Sequence, residues 1–346
     1  WFLARAKGYN RSKYSCEIIL FKRTPQVMII ARAPMRISFV GGGTDFPDFY
    51  DKYPGRCISA TIDQYVYIVI NPTPLVDKIS ARYSISETVD TPDEIKNTRI
   101  KAALKYWGIE KGIEIGSFAT LPSNIGLGSS SSFSCALMKA LASYKKHKLS
   151  SKELAELACK LEIDLVGEPI GKQDQYAAAY GGLNFMEFDP DSIKITQLGY
   201  DFFPLEDHLL LFFTGIRREA SEVLKKHKEN IEGNFDLLKS ISDSVLLFPK
   251  LLSGNYFEEI GKLLDYNWKK KKGLVDNISN ETIDRIYEDG LNAGAWGGKL
   301  LGAGNGGCVL FVVPPAKKAQ VREKLKHLKE IPIKFVRSGT DILYDR

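Results

Sequence analysis

The sequence has few cysteines, few histidines and no long apolar run. Its five cysteines, Cys16, Cys57, Cys135, Cys159 and Cys308, are odd in number and lack Cys-x-x-Cys spacing. That excludes a disulfide scaffold and a thiolate zinc module, and it suits a reducing compartment, so a cytoplasmic location is expected. His147, His208, His227 and His327 stand too far apart in the chain for zinc-ligand spacing. No apolar stretch approaches the ~20 residues of a membrane-spanning helix, so no membrane association is expected. No internal repeat is visible. Acid and base nearly balance, with 48 Lys and Arg against 42 Asp and Glu. The basic runs at 145–148, 269–272 and 317–329 carry no interleaved aromatics. They read as solvated helix faces, and no nucleic-acid partner is expected.

Two common nucleotide-binding loops are also missing. A Walker loop needs Lys-Ser or Lys-Thr after its last glycine, and the only Gly-Lys near such a spacing, in 167–173, has no hydroxyl after it. A dinucleotide fingerprint needs a strand before it and an acid about 20 residues on. No glycine loop here meets both conditions.

What the chain does have is apolar content of 44% over 346 residues, enough for one large or two medium globular domains. It also has three glycine clusters. The most informative is 121–132, Leu-Pro-Ser-Asn-Ile-Gly-Leu-Gly-Ser-Ser-Ser-Ser, followed at once by an apolar helix-forming run. Gly126 and Gly128 permit a tight turn and close approach of a ligand to the backbone. Ser129, Ser130, Ser131 and Ser132 then fall on the first helical turn, where free N–H groups and the helix dipole favour a phosphate. A serine N-cap alone would need one hydroxyl, not four. The second cluster, within 31–45, reads Ala-Arg-Ala-Pro-Met-Arg-Ile-Ser-Phe-Val-Gly-Gly-Gly-Thr-Asp. The third, 299–307, reads Lys-Leu-Leu-Gly-Ala-Gly-Asn-Gly-Gly before a strand-like apolar run. Three such loops beside apolar runs point to backbone packed against a bound ligand.

This trio resembles the GHMP kinases, the superfamily of galactokinase, homoserine kinase and mevalonate kinase. The resemblance covers roughly residues 28–340, and it is nearest to the branch that acts on D-glycero-D-manno-heptose 7-phosphate, through 41–45, 126–132 and Gly-Lys-Gln-Asp-Gln at 171–175. It implies a two-lobed α+β fold, with a ribosomal-protein-like N-lobe, a ferredoxin-like C-lobe and the active site in the cleft. The expected division is an extension at 1–27, an N-terminal domain at 28–200 and a C-terminal domain at 201–346. The extension carries an excess of basic residues over one acid, Glu17, and reads as an upstream or partner-binding segment outside the match.

The pattern of apolar residues predicts strands at 28–40, 56–72 (one strand or a bent pair), 113–121, 182–188, 208–214, 309–313 and 331–335. It predicts helices at 96–107, 129–147, 151–167, 218–254, 256–268, 279–292 and 316–328.

Phosphoryl transfer requires an acceptor freed of its proton, a metal bridging ATP phosphates, and positive charge facing the transferring group. The resemblance implies Asp174 as base and Arg36 as the cation that keeps it ionised. It implies ATP on Gly126 to Ser132, including Leu127, and Mg²⁺ on Ser130 and Glu162, with Glu168 the rival carboxylate. Asp45 is the implied sugar reader. Gly42 and Gly43 stand where galactokinases carry a Glu-His pair, which argues against galactose. Lys172, Arg217 and Arg218 are the candidate readers of a sugar phosphate. Gly302, Gly304, Gly306 and Gly307 form the third motif. The implied reaction is ATP-dependent phosphorylation of the anomeric hydroxyl of heptose 7-phosphate, by a monomer or homodimer. Alternatives are another sugar 1-kinase of fucokinase type, or a non-catalytic regulator that binds ATP and sugar.

Overall fold

The structure is a computed structural model that describes residues 27–345 apart from 200–202, 218–220 and 277. The expected extension at 1–27 therefore lies almost wholly outside the described residues, as does Arg218.

The first lobe is built on β1 (Ile29–Gly41), β2 (Gly55–Pro72), β3 (Ile79–Arg82), β4 (Ser86–Val89), β5 (Ile113–Ala119), β6 (Leu183–Phe188) and β7 (Ile193–Gln197). Its helices are α1 (Pro47–Tyr50), α2 (Thr98–Tyr106), α3 (Ser129–Tyr144), α4 (Ser151–Cys159) and α5 (Gln173–Tyr180). The second lobe contains α6 (Phe203–Glu206), β8 (Leu209–Phe213), α7 (Ser221–Glu229), α8 (Phe235–Ser244), α9 (Phe248–Ser253), α10 (Phe257–Lys272), α11 (Glu281–Asn292), β9 (Gly297–Leu300), β10 (Cys308–Val312), α12 (Lys318–Lys324) and β11 (Lys329–Glu330). A last strand, β12 (Asp341–Asp345), returns to the first lobe and pairs antiparallel with β1. The chain thus crosses between lobes twice, and the C-terminal strand belongs to the sheet of the N-terminal half.

The 56–72 stretch is one long strand that serves three neighbours. β2 pairs with β1 along one edge, and with β6 and then β5 along the other. The β1–β2 register shifts between Pro34 and Met35. Pro34 has no N–H to give the ladder, and a bulge at that point bends the pair. Side chains of β1 alternate across the sheet. Ile29, Ala31 and Ala33 pack in a core with α2, α3 and α4, whereas Met35, Ile37 and Phe39 pack toward the second lobe. The positions between, Arg36 and Ser38, face a cavity between the lobes.

The second sheet runs β11-β8-β10-β9. Its two apolar strands are buried on both faces. Leu209, Leu211, Leu310 and Val312 join the core between the lobes, and Leu210, Phe212, Val309 and Phe311 join a separate core under α10 and α11. Burial of each such side chain contributes about 1.5–3 kcal/mol relative to exposure.

Three predicted elements differ from what is observed. The described part of the 218–254 helix is three helices, α7, α8 and α9, broken around Gly233 and by a 3₁₀ turn at Val245–Leu247, just before Pro249 in the first turn of α9. The 331–335 strand is absent. Pro332 cannot donate to a ladder, and only an isolated bridge of Phe335 to Ile62 forms. The helix predicted over 151–167 begins at a capping box made by Ser150 and Glu153, and from Lys160 to Leu165 it continues as a wider π turn.

Candidate active site

α3 begins immediately after Gly128, whose φ of 72° is left-handed. The amide of Ser132 is the first to bond back, to the Gly128 carbonyl at 3.0 Å. The N–H groups of Ser129, Ser130 and Ser131 precede any intrahelical partner and sit at the positive end of a 16-residue helix. All three residues line a cavity of roughly 440 Å³ between the lobes.

The four serine hydroxyls do different things. Ser132 is fully buried and donates to the Pro34 carbonyl at 2.8 Å, stitching α3 to β1. It does not reach the cavity, and neither does the Leu127 side chain, which lies in the core between the lobes. Ser131 donates to Glu162 at 2.7 Å, and Ser130 to the other oxygen of the same carboxylate at 3.1 Å. Ser129 and Ser130 are the hydroxyls open to a ligand.

The third glycine motif braces the serine loop more than it faces the cavity. A Cβ on Gly126 would lie 2.4 Å from the Leu301 carbonyl oxygen, and one on Gly302 would lie 2.6 Å from the Gly126 Cα. The two loops can meet this closely only as glycine backbone. Gly304 and Gly306 pack on Ile278 and Ile216, and Gly307 packs on Ile125. Only Gly302, of the four, lines the cavity, together with Ala303. The third loop thus meets the cavity through Gly302 and Ala303, while Gly304, Gly306 and Gly307 serve the packing behind it.

Asp174 sits in the first turn of α5 and Arg36 on β1. Arg36 donates from Nε and Nη2 to the two Asp174 oxygens at 2.8 and 2.7 Å, and from Nη1 to the Gly126 carbonyl at 2.8 Å. Asp45 is buried. It accepts from the amides of Gly43 at 3.1 Å and Gln173 at 2.9 Å, which ties the first glycine turn to the start of α5. Burial raises the Asp45 pKa above the usual carboxylate value, against the lowering effect of the Gln173 amide. Gly42, Gly43 and Asp45 all line the cavity.

Glu162 lies in the π turn and is fully buried. Arg99, at the start of α2, donates to its Oε1 at 3.0 Å and reaches Glu168 at 3.2 Å. Gln175 donates to Oε2 at 2.6 Å. Ser130 Oγ and Glu162 Oε1 are hard oxygen donors side by side at the mouth of α3. That set suits an ion held mainly by phosphates and water, as Mg²⁺ is. Among the described residues no group of three or more His, Cys, Asp or Glu stands ready to cage a metal. Glu168, the rival carboxylate, touches Arg99 and Ser221 but not the serine loop.

Two of the three expected phosphate readers, Lys172 and Arg217, are elsewhere, and Arg218 lies outside the described residues. The Lys172 ammonium lies over the Tyr50 ring, 5.4 Å from its centroid, and Lys172 is not part of the cavity wall. Arg217 is exposed and is also outside the wall. Among the described residues, the Lys and Arg side chains that do face the cavity, besides Arg36 and Arg99, are Lys271 at the end of α10 and Lys299 in β9. Lys299 is only 2% exposed, and among the described residues no carboxylate pairs with it. Burial, then Lys271 and Arg36, push its pKa well below the lysine range. Lys271 donates to the Gly302 carbonyl at 2.5 Å, and burial, then Arg36, bring its pKa down to about 8. Both were hidden in the sequence. Lys271 falls in a four-lysine run that reads as a solvated face. Its signal is that it lies seven residues after Leu264 and four after Asn267, on the buried stripe of α10. His227, read only for zinc spacing, is buried on α7; its Nε2–H donates to the Gly43 carbonyl at 2.9 Å, and burial lowers its pKa.

A phosphate-binding helix start, an Arg-held carboxylate, a buried lysine and a half-buried one in one cleft define a phosphotransferase that works on small molecules. The family assignment agrees. The GHMP kinases N terminal domain matches residues 96–182, which hold the serine loop, Glu162 and Asp174. The GHMP kinases C terminal domain matches 247–330, which hold Lys271, Lys299 and the third glycine motif. The chain is 30% identical over 316 residues to the D-glycero-alpha-D-manno-heptose 7-phosphate kinase of Campylobacter jejuni, covering 86% of this chain and 93% of that protein. It is 27% identical to the galactokinase of Thermococcus kodakarensis, covering 86% of this chain and 92% of the other. The crystal structure of a D-glycero-D-manno-heptose 1-phosphate kinase from Bacteroides thetaiotaomicron matches with a TM-score of 0.76 and 25% identity, over 92% of this chain and 99% of that one. The chain belongs to the GHMP kinases and is an ATP-dependent kinase.

No helix among the described residues is long and apolar enough to cross a membrane.

Proposed function

We propose that the protein is a sugar kinase that transfers the γ-phosphoryl group of ATP to the anomeric hydroxyl of D-glycero-D-manno-heptose 7-phosphate, giving the 1,7-bisphosphate. The observation that carries this reading is the Arg36–Asp174 pair, which opens on the same cavity as the α3 N-terminus, Lys271 and Lys299. The similarity to a heptose 7-phosphate kinase supports the choice of sugar.

In this reading the ATP phosphates lie against the amides of Ser129 to Ser131. Asp174 accepts the proton of the anomeric hydroxyl as that oxygen bonds to the γ-phosphorus. The bond from the γ-phosphorus to the β–γ bridging oxygen breaks, and ADP leaves. Arg36, bound to Asp174, places positive charge beside the group in transit. Mg²⁺, held by Ser130 and Glu162 when bound, supplies further neutralisation between the phosphates. Asp45 orients the sugar hydroxyls.

Lys271 and Lys299 also replace Lys172 and Arg217 as the candidate readers of an anionic acceptor. The second reading is a kinase for an unphosphorylated sugar, and the turning of Lys172 onto Tyr50 favours it. An ADP-release assay over a panel of sugars and sugar phosphates separates the two. Turnover highest with heptose 7-phosphate supports the first, and turnover highest with a neutral sugar supports the second.

A further inference from the structure

Glu162 is fully buried and already has a full set of partners. Its Oε1 accepts from Arg99 Nε at 3.0 Å and from Ser130 Oγ at 3.1 Å. Its Oε2 accepts from Ser131 Oγ at 2.7 Å and from Gln175 Nε2 at 2.6 Å. An ionised carboxylate offers about four acceptor positions, and here all four are taken. A cation can bond to Glu162 only by displacing one of these donors.

The four donors are not equally free to leave. Ser131 and Gln175 are buried, and both hold the inner oxygen. Ser130 is exposed, and its hydroxyl can turn its proton away and offer a lone pair. Arg99 lies in the cavity wall, and its Nη2 already forms an ion pair with Glu168 at 3.2 Å. Glu168 in turn accepts from Ser221 Oγ at 3.1 Å on the facing lobe. Arg99 therefore has a second carboxylate to receive it.

We infer that Arg99 is a resident counter-ion that holds the metal position on Glu162 and yields it, swinging onto Glu168, when a divalent cation arrives. The exchange replaces one positive partner of a buried carboxylate by another, so Glu162 is never left buried without a cation, an arrangement that would be strongly unfavourable. The released guanidinium remains at the cavity wall beside the serine loop, where its other N–H groups can meet an ATP phosphate. Arg99 is thus a positioning residue that makes the free protein a poor metal binder and couples metal entry to nucleotide. The inference rests on the proposed assignment of Glu162 and Ser130 to the metal, but not on the identity of the sugar.

The test is binding of Mn²⁺, used as a spectroscopic stand-in for Mg²⁺, to the full chain without nucleotide or sugar, read as loss of free Mn²⁺ signal in electron paramagnetic resonance. Arg99→Gln removes the competing charge, and a charge-assisted hydrogen bond of this kind sets the scale, so Mn²⁺ should bind roughly 10- to 100-fold more tightly than to the wild type. Arg99→Lys keeps a cation and should bind Mn²⁺ weakly, like the wild type. Glu168→Gln takes away the receiving carboxylate and should shift affinity the opposite way from Arg99→Gln. This second variant keeps the idea testable if Arg99→Gln fails to fold. A purely structural salt bridge would lower stability in both variants without opposite shifts in Mn²⁺ affinity. Equal or weaker Mn²⁺ binding by folded Arg99→Gln overturns the inference. So does tight binding that survives in the double variant Arg99→Gln with Glu162→Gln, because the metal would then sit elsewhere. Failure of the sugar assignment would appear only in the ADP-release assay and would leave these binding results in place.

Discussion

Arg36 holds both oxygens of Asp174, at 2.8 and 2.7 Å, and gives a further N–H to the Gly126 carbonyl at 2.8 Å. One guanidinium thus fixes the candidate base relative to the candidate phosphate loop. A planar, bidentate donor does this where a lysine could not. The two residues are 138 positions apart in sequence, and the fold brings them together because β1 runs beneath both α3 and α5.

Asp174→Asn should leave nucleotide affinity near that of the wild type and lower kcat by roughly 10²–10⁴, the range expected when a general base is removed. Titration calorimetry with a non-hydrolysable ATP analogue gives the first quantity and steady-state kinetics the second. An unchanged kcat would remove Asp174 from the reaction.

The pKa of Lys271, brought to about 8, gives a pH dependence. Burial lowers it most; among the charged groups, Arg36 repels its charge, and Asp45 and Asp174 favour it. Lys271 is charged below about pH 8 and neutral above it. KM for an anionic acceptor should therefore be lowest below that pH and rise as pH climbs through it, and Lys271→Met should flatten the rise. A KM profile in the wild type that is level from pH 7 to pH 9 contradicts a role for this lysine in holding the acceptor.

Gly126 and Gly108 both have positive φ, at 83° and 58°, but only Gly126 is enclosed. A Cβ on Gly108 meets nothing within 4 Å, whereas one on Gly126 lies 2.4 Å from the Leu301 carbonyl oxygen. Gly108→Ala should cost only the left-handed backbone term, about 1–2 kcal/mol. Gly126→Ala should cost more and should also weaken ATP binding, because it separates the serine loop from the third glycine motif. Urea unfolding of the two variants side by side checks this, and equal losses would mean that the loops do not brace each other.

Much of this site can be read from local sequence, because its parts lie in short motifs. The run after Gly128, the Arg36 strand and the Gln-Asp-Gln turn each carry their chemistry within a few residues. Lys271 and Lys299 could not be read that way. One hides in a basic run, and the other sits between a glycine pair and leucines, where only tertiary packing makes it part of a cavity wall. The strands β3, β4, β7, β9, β11 and β12 were also missed. Ser86–Val89 is polar and alternates between exposed and half-buried positions, and β12 is specified by a partner strand some 300 residues away. Pairing of that kind leaves no local trace. The reverse error at 331–335 has a local cause, since apolar alternation outweighed Pro332.

Turnover should depend on a divalent cation. Glu162→Gln keeps the shape of the side chain but removes its charge, so kcat should fall and the Mg²⁺ concentration needed for half-maximal rate should rise. ADP release by the wild type that continues unchanged in excess EDTA would contradict the assignment of Ser130 and Glu162.

The most direct measurement is kcat/KM for heptose 7-phosphate and for unphosphorylated heptose, by coupled ADP release with identification of the product. A phosphate held by Lys271 and Lys299 gains charge-assisted hydrogen bonds of about 1.5–3 kcal/mol each. Two such bonds predict a preference of at least roughly 100-fold for the phosphorylated sugar, with the new phosphate on the anomeric oxygen. Equal kcat/KM for the two sugars would contradict the account and make the protein a kinase of neutral sugars.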